Sequence, residues 1–154
     1  MALDTENKII DIDLSDTGKK RFRIDGDNER IVLLNISDMG IVKRLTKIYP
    51  KLEKLANEAN IDIPEDADDL QALTLTGNKV DEVDRKMRDL INEIFDSDVD
   101  RACAPDGTMF DLFNGKFRFE IIIDRLGKLY GDNFESELQK AKKNIKKHTD
   151  KYVK

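Results

Sequence analysis

The chain has 154 residues, 38% of them charged and 39% hydrophobic, with a formal net charge of -5 and only 6% aromatic. That length suits one domain with its own core, and the near-balance of charge gives no global attraction to nucleic acid. No run approaches the ~18 apolar residues of a membrane-spanning helix, and a single cysteine, Cys103, excludes an internal disulfide and fits a reducing compartment. The start, MALDTENKIIDID, lacks the basic and apolar regions of a signal peptide, so a cytoplasmic location is expected.

The first third reads as β. In KIIDIDL, Ile10, Ile12 and Leu14 alternate with polar residues; SDTGK offers a turn with Gly18 free to take positive φ, and Phe22 and Ile24 resume the alternation. A second turn, DGDN, precedes RIVLLNI, residues 30 to 36, whose continuous apolar run predicts a strand buried on both faces. Ser37 and Asp38 can cap a helix over about 39–60 with Val42, Leu45, Leu52 and Leu55 on one stripe. Pro50 is expected to kink or divide it. The acidic linker NIDIPEDADD then leads to a helix over about 66–95, which Gly77-Asn78 could split. Its second half carries Val83, Met87, Leu90, Ile91, Ile94 and Phe95 on one face.

A loop at 96–107 and the apolar stretch TMFDLFNGKFRFEIII follow, with Gly115 suited to a close helix contact, a break or a turn. Helix is favoured from Phe117 to Tyr130, although FRFEIII alone also fits a strand. Asp132 or Asn133 can cap a last helix, on which Phe134, Leu138, Ala141, Ile145, His148 and Tyr152 recur at steps of four and three, a two-helix seam. The fold expected is α+β and mostly α: a small N-terminal antiparallel sheet of two or three strands followed by four or five helices. It forms a single domain, 1–154, β-rich to residue 36 and helical from 37.

The loop DSDVDRACAPDG resembles a calcium loop in placing Asp96, Asp98 and Asp100 two apart. Its sixth position, however, holds Arg101 where a glycine turn is needed, and its twelfth holds Gly107 where a bidentate glutamate is needed. A helix terminator followed by a Pro105-Asp106-Gly107 turn is the better reading. Cys103 and the only histidine, His148, would have to meet in space to form a nucleophile–base pair, and two such residues are too few for a zinc site. Gly77, Gly107 and Gly115 are isolated and form no phosphate-binding loop. Neither a catalytic set nor a cofactor is expected.

Charge is divided along the chain. From Asp62 to Asp100 there are 13 acidic against four basic residues; from Leu138 to Lys154, seven lysines face one aspartate, Asp150. Such blocks can pair within a molecule or between copies. The basic tail, KAKKNIKKHTDKYVK, has no arginine and one aromatic, Tyr152, a poor set for reading or stacking bases, so a protein partner is favoured over nucleic acid. The Phe/Ile-rich segment supplies more apolar surface than one helix face buries.

Taken in order, KRFRIDGDNERIVL, DRKMRDLINEIFDSD, CAPDGTMFDLFNG, an aromatic and aliphatic helix, and FESELQKAKKNIKKHTDKYVK resemble the tail assembly chaperones of long-tailed bacteriophages of Gram-positive hosts. The resemblance runs over most of the chain, and its last two features carry most of it. It implies a non-catalytic protein of the infected cell's cytoplasm, absent from the mature virion. Such a protein binds the long apolar tape-measure protein and keeps it soluble; the tail-tube protein and a second copy of the chain are further candidate partners, and no membrane is involved. The expected contact residues are Phe110, Phe113, Phe117, Phe119, Ile122, Leu126, Tyr130, Leu138, Ile145 and Tyr152. The competing expectation is a small helical adaptor or regulator that binds one protein or nucleic acid through its Lys-rich C-terminal helix.

Overall fold

The computed structural model describes residues 8–59, 66 and 68–152, and among them the side chains at 8–59, 66, 68, 70 and 79–144. The fold is α+β and mostly helical. Two strands, β1 (Lys20–Arg23) and β2 (Ile31–Leu34), precede the helices α1 (Gly40–Glu58), α2 (Asp69–Phe95) and the single turn α3 (Asp100–Cys103). A second hairpin, β3 (Leu112–Phe113) with β4 (Lys116–Phe117), leads into a long last helix, α4 (Arg118–Tyr152).

The β1–β2 pair is antiparallel, with Lys20 opposite Leu34 and Arg23 opposite Ile31. Its connection places Asp25 and Gly26 at φ +52 and +71, and the Asp27 amide donates to the Ile24 carbonyl at 3.0 Å. Positive φ at both central residues suits aspartate and glycine, and a second turn, the Arg30 amide on the Asp27 carbonyl at 3.0 Å, completes the connection. Two strand expectations are corrected. Residues 8–14 form no strand; Ile10, Ile12 and Leu14 alternate, but no neighbouring strand pairs with them, and after the 3-10 turn Ser15–Thr17 Gly18 keeps a negative φ. In β2, Val32 and Leu34 are buried while Leu33 is 46% exposed, because only one face of this two-stranded sheet is covered.

Pro50 lies inside α1 without dividing it. The carbonyl it leaves without a donor belongs to Thr46, and both residues face solvent, where water can take the missing bond. The backbone of α2 is likewise continuous through Gly77 and Asn78. The expected separate C-terminal helix is also corrected: Asp132 and Asn133 lie within α4 rather than capping a new one.

The core is one cluster in which Val32 and Leu34 of β2 meet Ile48 and Leu52 of α1, Val83, Met87 and Ile91 of α2, and Phe119, Ile122, Leu126 and Tyr130 of α4. The Arg44 guanidinium near the start of α1 donates to the Ile94 carbonyl near the end of α2, which holds those two ends together. Asn133 donates to the Ile36 carbonyl at 3.2 Å, while Phe119 lies beside Leu52 and Ala56. The first half of α4 therefore runs antiparallel to α1, and the second half continues past the point where α1 begins.

Candidate protein-binding surface

The loop between α2 and β3 is held by one polar network. Asp96, at φ +50, ends α2: its amide donates to Glu93 and that of Ser97 to Asn92, the paired bonds of a left-handed helix terminus. The Asn92 amide oxygen then accepts from Val99 and Asp100, and its nitrogen donates to the Asp100 carboxylate at 2.9 Å. Arg88 reaches Asp84 at 2.9 Å, Asp100 at 3.5 Å and the carbonyls of Ala104 and Gly107. Asp84, the buried charged residue of the core, accepts the Met109 amide at 2.7 Å with its other oxygen. Asp96 and Asp100 thus have separate structural tasks, one ending α2 and the other joining Asn92 to Arg88. Among the described residues, no group of three or more His, Cys, Asp or Glu side chains is placed to hold a metal ion.

Cys103 is half-buried, and burial pushes its thiol up to about 11 against the opposing pull of Arg30. His148 lies outside the described side chains. A thiol so poorly ionised is a weak nucleophile, and at pH 8 its alkylation by iodoacetamide is expected to run roughly 100-fold slower than that of an ordinary exposed cysteine. Labelling the native chain as fast as the guanidinium-unfolded chain would show that the loop opens freely.

The hairpin turns on Asn114 and Gly115, at φ +53 and +78, and pairs Leu112 with Phe117. Phe110, Phe117 and Phe119 pack ring on ring at its base, with centroids 5.5 to 5.8 Å apart. The Phe117 amide donates to the Glu120 carboxylate, which satisfies one free donor at the start of α4. Leu112 and Phe113 point away from the core, Phe113 under the Arg118 guanidinium at 5.1 Å.

The expected contact residues divide. Phe110, Phe119, Ile122, Leu126 and Tyr130 are at most 8% exposed, so as the chain stands they cannot also face a partner; the surplus of apolar surface is absorbed by the sheet, α1 and α2. Phe117 is partly buried in the aromatic cluster, and Phe113 and Leu138 are exposed. Ile145 and Tyr152 lie outside the described side chains. Leu112, at 64% exposure, was not anticipated; the Asn114-Gly115 pair between short apolar runs is the hairpin signal that would have found it.

Beyond the partly buried Phe134, every described side chain from Glu135 to Asn144 is exposed, including Leu138 and three lysines, Lys140, Lys142 and Lys143. This outer half, 135–152, is roughly 27 Å of helix at 1.5 Å per residue, and through residue 144 no side chain among the described residues buries it. No described helix is long and apolar enough to cross a membrane. Compared with protein-family models, curated proteins and solved structures, the chain has no significant match.

Proposed function

We propose that this chain is a non-catalytic assembly chaperone of the kind found in long-tailed bacteriophages, which binds the tape-measure protein and keeps it soluble in the cytoplasm of the infected host. The observation that carries the reading is the outer half of α4, a helix continued past its own domain with an apolar stripe on a lysine-rich shaft. The stripe, with Leu138 at 56% exposure, has the spacing of a two-helix seam. A long helical client with apolar and acidic positions suits such a seam, and the charged remainder of the complex adds solubility. The ordered sequence resemblance supplies the identity of the client.

Co-expression with the tape-measure protein of the same genome tests it. The client is expected to remain in the supernatant and to co-elute with this chain, and to aggregate when expressed alone. If the client aggregates equally in both cases, and this chain instead retains nucleic acid that is released steeply by salt, the adaptor reading replaces this one.

A further inference from the structure

A groove of about 390 Å³ lies between the β1–β2 turn, the β3–β4 hairpin and the first turns of α4. Four arginines line it: Arg23, Arg30, Arg118 and Arg125. Asp25, also on its wall, pairs with Arg30 at 3.0 Å, and Arg118 is engaged by the Asp106 carbonyl and by Asp111 at 3.7 Å. Among the described residues Arg23 donates to the neutral Asn28 amide oxygen, and Arg125 is exposed. Between these cations the wall is apolar, formed by Ile121 and the outward ring of Phe113. The groove therefore asks for an occupant that is both acidic and aliphatic.

The same chain displays such a segment. Residues 9–14, IIDIDL, leave Ile9, Ile10, Ile12 and Leu14 between 65% and 94% exposed, and Asp11 and Asp13 alternate with them. In an extended strand that alternation puts Ile10 and Ile12 on one side and the two carboxylates on the other, with Asp13 also accepting the Ser15 amide and hydroxyl where Leu14 turns into Ser15–Thr17. We propose that the arginine groove takes the IIDIDL segment of a second copy of this chain. The aliphatic side lies on the Phe113–Ile121 wall, and Asp11 and Asp13 face Arg23 and Arg125. Lys19 donates to the Asp96 carbonyl and so anchors the base of the segment at the end of β1 away from Arg23, which favours exchange between copies over folding back. Two chains that exchange the segment make the same contact twice, as a closed two-fold dimer requires. This contact leaves the outer half of α4 free and is independent of the client proposed above.

Sedimentation equilibrium of the full chain over a concentration series tests it, with two charge-reversed variants, Asp11→Lys/Asp13→Lys and Arg23→Glu/Arg125→Glu. All four positions are exposed, and melting curves confirm that the variants fold. The wild type is expected to rise above the 17.7 kDa of one chain, each variant to associate at least about tenfold more weakly, and an equimolar mixture of the two to recover association. A wild type that stays at one-chain mass at its highest soluble concentration overturns the proposal. Variants that associate as well as the wild type, or a mixture that does not recover, overturn it equally.

Discussion

Replacing Arg88 by methionine is expected to lower stability by about 3 kcal/mol, the range found when one member of a buried charge network is removed. The methionine fills nearly the same space, so the loss isolates charge and hydrogen bonding from packing. Arg88 is the node that joins α2 to the loop: its partners are two carboxylates, Asp84 and Asp100, and two carbonyls, Ala104 and Gly107. Its side chain is 16% exposed, and those of Asp84 and Asp100 are 13% and 17% exposed, so water cannot readily take its place. Without the guanidinium, two sheltered carboxylates face each other with no counter-charge. For a domain of this size the loss corresponds to roughly 10 °C in the midpoint of thermal unfolding. Asp84→Asn should cost less, about 1–2 kcal/mol, because its carbonyl oxygen can still accept the Met109 amide. Circular dichroism melts of both variants give the comparison. A drop of less than about 2 °C for Arg88→Met would mean the network is solvated in solution and the loop is held by Val99, Met109 and Phe110 alone.

That network also marks where reading the sequence stops. The apolar stripes of α1 and α2 were legible because a period of three to four residues has one physical use, burial against a neighbour. Thus Leu52, Leu55, Val83, Met87 and Ile91 fall where periodicity puts them, while Val42 is exposed and its neighbour Ile41 is buried instead. In the Asp-rich loop the sixth and twelfth positions, Arg101 and Gly107, lack what a calcium loop needs. The loop's actual use was not legible, because Arg88 lies eight or more residues upstream and looks like any solvated helical arginine. Chain ends misled in both directions. The IIDIDL alternation satisfies the local rule for a strand, but a strand also needs a partner, and pairing is a property of the whole fold. Asp132-Asn133 satisfies the local rule for a cap, but the helix continues because nothing in FESELQKAKK interrupts it. For the Phe-rich segment, whose apolar content exceeds one helix face, core packing is the commoner use of each residue and a partner contact the other, the latter placed there by the family resemblance. In the fold the segment is divided between a hairpin and a helix, and its surplus is consumed where Phe110, Phe117 and Phe119 close on one another.

The same division decides how client binding should be mapped, and it makes Ile122→Asp and Leu138→Asp opposite experiments. Both lie on α4, four turns or so apart, and both belong to the apolar set of the sequence. Ile122 is 7% exposed, within the core cluster. A carboxylate there has to be buried unpaired or the helix has to leave its site, at a cost above about 4 kcal/mol, enough to unfold a marginally stable domain. Any loss of client with that variant would therefore report unfolding. Leu138 is 56% exposed and contributes nothing to the core, so Leu138→Asp should hold stability within about 0.5 kcal/mol of the wild type. If the outer half of α4 seats the client, the variant loses the burial of one leucine, about 1.5–3 kcal/mol, and must in addition desolvate a carboxylate, so client affinity should fall by more than about tenfold. The two readouts, a melting curve and the soluble fraction of co-expressed client, separate the roles. Full client solubility with Leu138→Asp would argue against the outer half of α4 as the contact and leave, among the described residues of the expected set, exposed Phe113 beside the unanticipated Leu112 on the hairpin edge. A melting point that falls as far as that of Ile122→Asp would mean instead that Leu138 is covered in solution, by a second copy or by the chain itself, and the helix would not be the free arm the client reading requires.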